Sequence, residues 1–333
     1  MNKVKATVII PTTIDRGILL PYSVGSVQNQ TVQDIEIFII GDGVYDETRE
    51  VIYDLQSQDD RINFFDHPKH ERRGEIYRHM ALQEARGEIV CYLCDRDLML
   101  PHHIETHTKI LENYDFSSSV CLHIPAEGKP VLHNFFGYFG AYSGCSNDMK
   151  SNVGGLSIVA HSLSFYHDQA IQWTTTPLDI PTDVFMWNKF LGNRNCRAFS
   201  DEETTILYFK RQSHPGWSSE NRLPEIADWF QLLEEPKQID AVIKQAIGSL
   251  LTRVKSIQAR LKIIREENTV MRQKLDACRD EKSNIQQEVM VSKSKQIEIQ
   301  KREKDWNQYS RQRKMLFHFK LALFQMIMIL RIK

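Results

Sequence analysis

The chain has 333 residues, a hydrophobic content of 41% and a formal net charge of −1, which suits one large or two modest domains. Residues 251–333 carry 20 basic and 9 acidic residues, whereas the rest carries 22 basic and 34 acidic residues. Because acids interleave with the basic tail, the charge pattern favours a membrane surface or an acidic partner over nucleic acid. We expect no secretory signal peptide, since a strand pattern starts at once, and therefore a cytoplasmic location.

Apolar runs of strand length alternate with helical patterns through the first hundred residues. Strands are predicted at 7–13, 35–40, 61–66 and 89–94, and helices at 20–30, 46–56 and 74–85. Asp46 is expected to be the N-cap of the second helix. This alternation predicts a parallel sheet in an α/β domain.

Two carboxylates, Asp95 and Asp97, follow the fourth apolar run and are separated by one residue. In an open α/β sheet, ligands bind outside the carboxyl ends of the strands. Two such acids repel each other unless a positive group lies between them, and a hard divalent cation that also takes phosphate oxygens suits this role. A surface loop with two acids is the alternative. Cys91 and Cys94 lie within the run, so we expect buried thiols there.

Three motifs stand in the order and spacing found in family 2 glycosyltransferases of the GT-A fold. They are Val8-Ile9-Ile10-Pro11-Thr12, then Ile39-Ile40-Gly41-Asp42-Gly43 with Asp46-Glu47-Thr48, and then Asp95-Arg96-Asp97. The chain resembles this family over roughly residues 6–105. The resemblance implies a Rossmann-like GT-A catalytic domain with a mostly parallel sheet, and a nucleotide-sugar donor.

The resemblance also implies donor-binding residues. Pro11 and Thr12 would line the base pocket, and Asp42 would contact the base or the ribose. The family more often has paired acids where this chain has a glycine before Asp42. Gly74 and Arg78 match a glycine-then-arginine pattern, and Arg78 would face phosphate.

The cofactor implied by the resemblance is Mg²⁺ or Mn²⁺. Asp95 and Asp97 would hold the donor diphosphate through this ion, with Asp97 the more direct ligand. His214 lies on a loop after a strand predicted at 205–210, where some GT-A enzymes supply a further metal ligand. A structural or hydrogen-bonding histidine is the alternative.

Asp183 is the expected catalytic base, because an acceptor hydroxyl must lose its proton as it attacks. It follows Thr182 at the start of a predicted helix, where the family has an acidic pair whose second member is the base of an inverting transfer. An N-cap role is the alternative for either residue. Asp179 and Asp168 are the other candidate bases.

Residues 116–160 are rich in Ser, Gly, Asn and aromatic side chains. Their aromatic part, 135–139, could stack on sugar faces, so this region is interpreted as an acceptor-binding loop. An ordinary irregular insert is the alternative.

From residue 247 the apolar positions step alternately by three and four residues. The positions are Ile247, Leu250, Val254, Ile257, Leu261, Ile264, Asn268, Met271, Leu275, Cys278, Lys282, Ile285 and Val289. This heptad repeat predicts a coiled coil, and Asn268 at an a position favours a two-stranded, in-register homodimer. A single amphipathic helix packed on the catalytic body is the alternative.

Residues 315–330 are apolar and are flanked by basic residues. Sixteen residues that include Lys, His and Gln are too few to span a membrane, which requires about 20. The pattern favours an in-plane membrane helix at 311–333, and a docking helix for a partner protein is the alternative.

The predicted organisation is a GT-A domain at 1–238, a coiled coil at 239–310 and a basic membrane-associating helix at 311–333. The predicted function is metal-dependent, inverting transfer of a sugar to a glycan acceptor, in bacterial O-antigen or capsule synthesis. The expected place is the cytoplasmic face of the membrane, with a lipid-linked acceptor among the partners and no nucleic acid. The alternative is a coiled-coil scaffold with a non-catalytic nucleotide- or glycan-binding domain.

Overall fold

The computed structural model describes residues 4–133 and 155–330, with side chains described as far as residue 322. Within these residues, nine strands form one sheet in the order β3-β2-β1-β4-β8-β6-β9-β5, with β7 beside β6. The strands are β1 Ala6–Ile14, β2 Ile35–Val44, β3 Ile62–His67, β4 Ile89–Tyr92, β5 Leu98–Met99, β6 Phe116–His123, β7 Val131–His133, β8 Val159–Ser162 and β9 Ala198–Tyr208. The helices are α1 Leu20–Gln28, α2 Asp46–Gln58, α3 Glu75–Leu82, α4 His103–Leu111, α5 Leu163–Asp168, α6 Thr182–Leu191, α7 Ser219–Leu232 and α8 Pro236–Leu330.

The first half of the sheet has the predicted topology. Strands β1 to β4 pair only in parallel among themselves, and helices connect them, as the alternating pattern indicated. Strand β2 is longer than predicted and includes the Gly41–Asp42 motif, which the sequence placed after the strand. The predicted cap of α2 is wrong, because the extended backbone of Tyr45 makes that residue the N-cap and Asp46 the first helical residue.

The second half of the sheet is mixed, and it contains a strand that the sequence did not indicate. Strand β6 pairs antiparallel with β8 and β7 and parallel with β9. Its three consecutive serines gave it a loop-like composition, but they are buried and their hydroxyl groups bond to His107, Ser200 and Thr205. Polar side chains that bond to each other can therefore occupy a core strand. Residues 135–139 of the predicted acceptor loop lie outside the described residues.

Contacts divide the chain into two compact units, Met1–Arg253 and Val254–Lys333. In the first unit, the start of α8 packs against the body, where Ile239 and Ala246 are buried with Leu98, Leu207 and other side chains. The contact boundary therefore falls after the predicted domain boundary at residue 238, and the division at 310 is not marked by a helix end.

In the second unit, α8 runs on as a continuous helix. The heptad side chains from Val254 to Val289 are exposed, with 41% of the surface of Val254 and 46% of that of Leu261 accessible. Among the described residues, no helix has both the length and the apolar character needed to cross a membrane.

Candidate active site

The carboxyl ends of β1, β2 and β4 meet at one edge of the sheet. Thr13 on β1 is in register with Asp42 on β2, and β1 also pairs with β4, the strand that precedes Asp95. Thr12 donates its hydroxyl hydrogen to Oδ2 of Asp95 over 3.2 Å. Three of the predicted donor-binding positions are thus brought together by strand pairing alone.

Asp42 is buried and both of its carboxylate oxygens have protein partners. Oδ1 accepts a hydrogen bond from the backbone N–H of His70 at 2.6 Å, and Oδ2 pairs with the ammonium group of Lys69. Gly74, with a φ of +63°, lies against this carboxylate, and a Cβ at that position would be 3.2 Å from Cβ and Cγ of Asp42. The glycine therefore allows the loop before α3 to approach Asp42 closely.

Asp95 lies between two guanidinium groups. Its Oδ1 is 3.3 Å from Nη1 of Arg16 and 3.7 Å from Nη1 of Arg96. Only 6% of its side chain is exposed. Because Arg96 is the middle residue of the Asp-x-Asp motif, the motif supplies its own positive charge.

Asp97 is fully buried and connects three elements. Its Oδ2 accepts a 2.6 Å hydrogen bond from the hydroxyl of Ser157, and its Oδ1 accepts one of 3.0 Å from the backbone N–H of Phe209. Burial raises the pKa of Asp97, and the charge of Arg96 and these two hydrogen bonds counteract the rise. The carboxylate thereby fixes the end of β9 and the turn before β8 against the motif.

These contacts bear on the predicted divalent ion. The described residues contain no cluster of three or more His, Cys, Asp or Glu side chains able to hold a metal. A Mg²⁺ or Mn²⁺ ion can, however, bind through one carboxylate together with substrate phosphates and water. Asp95 fits that arrangement better than Asp97, because the hydrogen bonds to the two oxygens of Asp97 are 2.6 Å and 3.0 Å long, whereas those to Asp95 are longer, at 3.2 Å and 3.3 Å.

His214 is buried, and one of its ring nitrogens, Nδ1, is hydrogen-bonded to the carbonyl oxygen of Lys210 at 3.0 Å. Nε2 lies 2.8 Å from Oε2 of Glu225, but the two atoms do not have hydrogen-bond geometry. Its ring also meets that of Trp217 edge-on. These contacts support the structural alternative for His214, and its assignment as a metal ligand stays a prediction that they do not favour.

Asp183 lies in the first turn of α6 and is half-buried. The N-cap of this helix is Pro181, which has no capping side chain, so neither Thr182 nor Asp183 has the capping role considered as the alternative. Thr182 instead donates to Oε1 of the fully buried Glu75 at 3.2 Å. This bond joins the start of α6 to the start of α3, which carries Arg78.

The electrostatic environment of Asp183 suits a proton acceptor. Burial raises the pKa of its carboxyl group, while the positive charges of Arg78 and Arg73 oppose that rise. A base with a pKa above the ordinary aspartate range accepts a proton more readily. The other two candidates, Asp179 and Asp168, are exposed.

Arg78 is buried, its charge influences Asp183, and part of its hydrogen-bonding capacity is unused. Its guanidinium lies 4.8 Å from the ring centre of Trp173, and Nη2 donates to the carbonyl oxygen of Arg73 at 2.9 Å. Within the described part of the chain, Nε and Nη1 of Arg78 have no hydrogen-bond partner. Buried donors of this kind point to a ligand that accepts from them.

Several residues at this site were missed by the sequence analysis. Arg16 follows β1 without any recognisable spacing, and Ser157 and Glu75 act only through tertiary contacts. Arg72 donates to the carbonyl oxygens of Thr176, Pro177 and Ile180, and so ties the loop before α6 to the loop before α3. Only Arg96, inside the motif, could have been identified from its position.

Comparison with known proteins identifies a glycosyltransferase domain in the chain. Residues 7–172 match the family model described as Glycosyl transferase family 2. The GalNAc(5)-diNAcBac-PP-undecaprenol beta-1,3-glucosyltransferase of Campylobacter jejuni is 35% identical over 125 residues, which are 37% of this chain and 40% of that protein. An uncharacterized glycosyltransferase of Methanocaldococcus jannaschii is 31% identical over 114 residues, or 34% of this chain and 39% of that protein. The matches thus span about two fifths of these relatives.

A solved structure supports the fold. The crystal structure of S. aureus TarS 1-349 superposes with a TM-score of 0.51 at 14% identity, covering 67% of this chain and 70% of that one. At this identity the likeness concerns the fold alone, and together with the family match it confirms the predicted α/β, GT-A fold class.

Proposed function

The chain contains a glycosyl transferase family 2 domain at residues 7–172, and from this premise we propose that it transfers a sugar from a nucleotide-sugar donor to a hydroxyl group of a glycan. The observation that carries the proposal is the meeting of Thr12, Asp42 and Asp95 at one sheet edge, with Asp183 held near the same loops by Thr182. The nucleoside diphosphate of the donor requires a site that binds phosphate, and the acceptor hydroxyl requires a base.

In the proposed reaction Asp183 is the catalytic base. Its carboxylate takes the proton of the acceptor hydroxyl while that oxygen forms a bond to the anomeric carbon. The bond from this carbon to the donor diphosphate breaks, and the nucleoside diphosphate leaves with the electron pair. A single displacement of this kind inverts the anomeric configuration. The positive charge of Arg78 favours the carboxylate form of Asp183 that the reaction needs.

The donor would lie along the sheet edge. Pro11 and Thr12 would line the base pocket, and Asp42, which lies beside Gly74, would face the base or ribose. A bound Mg²⁺ or Mn²⁺ would supply positive charge to the departing diphosphate. Asp95 would be the carboxylate that holds it, and Asp97 would act by fixing Phe209 and the motif.

The acceptor is proposed to be a growing bacterial surface glycan on a lipid carrier, as in O-antigen or capsule synthesis. The name of the Campylobacter jejuni relative specifies a PP-undecaprenol acceptor. The basic, apolar segment at 311–333 supports a peripheral place on the inner face of the membrane, because basic and apolar side chains bind anionic lipid surfaces. The exposed heptad side chains of α8 support a coiled-coil homodimer.

The test is a panel of nucleotide sugars, assayed for nucleoside diphosphate release with glycan acceptors, in the presence of Mn²⁺ and of a chelator. We expect one donor to be turned over only when an acceptor is present, and Asp183→Asn to remove that turnover. Binding of nucleotide or glycan without turnover by any donor would overturn the proposal and favour the scaffold.

A further inference from the structure

Five buried rings pack together next to α6, and we call them the aromatic cluster. They belong to Tyr92 on β4, His161 on β8, Trp173 before α6, and Trp187 and Phe190 on α6. The ring of Trp173 meets those of Tyr92 and Trp187 edge-on, with ring centres 5.8 Å and 5.4 Å apart. Only 2% of Trp173 is exposed, so this side chain acts on other parts of the chain and not on a ligand from solution.

A chain of hydrogen bonds fixes the orientation of the Trp173 ring. Its Nε1–H donates to Oη of Tyr92 at 3.1 Å, and this Oη lies 2.8 Å from Nε2 of His161. Nδ1 of His161 lies 3.0 Å from the carbonyl oxygen of Ser162, which can only accept, so Nδ1 carries the proton and Nε2 accepts from Tyr92. Burial lowers the pKa of His161 to about 4, which keeps the ring in this neutral form at neutral pH. The indole ring is thus tied to both β4 and β8.

The face of the same ring holds the guanidinium group of Arg78, which lies 4.8 Å from the ring centre. Arg78 is buried, and its Nη2 donates to the carbonyl oxygen of Arg73, whereas Nε and Nη1 have no hydrogen-bond partner in the described part of the chain. The attraction between a cation and an aromatic face is stronger when the cation is removed from water. Because its hydrogen bonds are few, the position of Arg78 depends on the Trp173 ring.

Trp187 joins the Trp173 ring to the helix that carries Asp183. Trp187 follows Asp183 by four residues, so the two side chains lie on the same face of α6. Trp173 therefore contacts α3 through Arg78 and α6 through Trp187. The first turns of these two helices are also bonded to each other. The Trp173 ring thus contributes to the spacing between the two helices.

We propose that Trp173 is a positioning residue whose ring holds Arg78 in place relative to Asp183. The inference rests on the proposed role of Asp183 as the catalytic base. It goes further by assigning control of that base to a buried side chain that touches neither donor nor acceptor.

Several titratable groups act on Asp183. They are Glu75 and Arg78 on α3, Arg73 before α3, Cys94 and Arg96 after β4, and Tyr208 on β9. Among the three arginines, Arg78 does most to counteract the rise that burial causes in the pKa of Asp183. Displacement of Arg78 therefore raises this pKa and moves the titration of the base to higher pH.

The test is a titration of Asp183 in the full chain without donor or acceptor, followed by carbon-13 NMR of the aspartate carboxyl groups and assigned with Asp183→Asn. Trp173→Leu removes the aromatic face and should raise the pKa of Asp183 by about one unit, a tenfold change in proton affinity. Trp173→Phe keeps a face but cannot donate to Tyr92, so the rise should be smaller, about half a unit. Arg78→Gln should give a rise of about one to three units. Adding Trp173→Leu to Arg78→Gln should give no further rise, because both changes remove the same interaction.

Phe190→Leu is the matched control. It removes a fully buried ring of the same cluster, which meets those of His161 and Trp187, and leaves the face that holds Arg78. Thermal unfolding shows which variants are folded. An unchanged pKa in Trp173→Phe, or in a folded Trp173→Leu, would overturn the inference. An equal rise in Phe190→Leu, or a further rise in the double variant, would also overturn it. Absence of turnover with every nucleotide sugar would instead overturn the proposed function, since this titration requires no turnover.

Discussion

The sheet edge that carries the Asp-x-Asp motif and the part of α8 from Val254 onward distribute polar and apolar groups in opposite ways. At the edge, Asp97 is fully buried and Asp95 nearly so, and each is held by hydrogen bonds or arginine side chains. On α8, large apolar side chains are exposed, including 52% of Leu275 and 54% of Ile285. The first region buries charged side chains, whereas the second exposes apolar side chains.

The difference shows what each region lacks as a single chain. A buried cluster of charges is completed by a ligand of opposite charge, because each charge is expensive to hold away from water. A periodic apolar stripe on one helix is completed by another apolar surface, since a long helix gains most of its stability from packing. We therefore propose a small anionic substrate for the first region and a partner helix for the second.

The largest effect is expected from disrupting the stripe. Leu261→Lys together with Leu275→Lys would place lysines at two a positions, where each would face its counterpart in a parallel pair. Loss of leucine burial in both chains, at roughly 1.5–3 kcal/mol for each fully buried side chain, should raise the dimer dissociation constant by at least about 10⁴-fold. Sedimentation equilibrium of the full chain measures it.

The matched control is Ala259→Lys with Gln273→Lys, which adds the same charge at f positions of the repeat. Cys278 offers a second check, because it is exposed and falls at a d position. In a parallel, in-register pair it faces its counterpart, so mild oxidation should cross-link the wild-type dimer and not Cys278→Ser. A monomeric wild type, or an antiparallel pair without the cross-link, would refute the predicted assembly.

The next effect concerns the base. Asp183→Asn keeps the shape of the side chain but cannot accept the proton, so kcat should fall by about 10²- to 10⁴-fold. Nucleoside diphosphate binding should be nearly unchanged, because the change removes a proton acceptor and no cation. Steady-state kinetics and calorimetry measure the two quantities, and Asp179→Asn is the control because Asp179 is exposed. If Asp183→Asn stays active and Asp179→Asn does not, the catalytic base is Asp179.

A smaller effect concerns stability at the motif. Asp97→Ala would leave the buried hydroxyl of Ser157 and N–H of Phe209 without their acceptor, which should lower the free energy of unfolding by about 1–3 kcal/mol. Urea denaturation of the full chain measures this, with Asp97→Asn as the conservative variant that retains one oxygen. An unchanged urea midpoint for Asp97→Ala would show that the hydrogen bonds of the Asp97 carboxylate do not stabilise the fold.

The sequence predicted the parts of this site that depend on strand order. Thr12, Asp42 and Asp95 follow apolar strands, and parallel pairing then places them at one edge, so local patterns are sufficient. The burial of Asp97 could not be predicted, because it depends on distant parts of the chain. One of its hydrogen-bond donors is the backbone N–H of Phe209, which lies 112 residues away. Strand β6 was missed because its serines are satisfied by partners on other elements.

The smallest effect is a shift in the pH dependence of kcat. Asp183 must be unprotonated to act, so kcat should be constant above its pKa and fall about tenfold per pH unit below it. Burial raises this pKa above the ordinary aspartate value of about 3.9, and Arg78 and Arg73 lower it. Arg73→Gln removes one of the lowering charges and should move the acid limb to higher pH by less than about one unit. Arg49→Gln, whose partners are Asp46 and Asp66, should leave the limb in place. A limb that stays fixed or moves to lower pH in Arg73→Gln would show that a group other than Asp183 controls it.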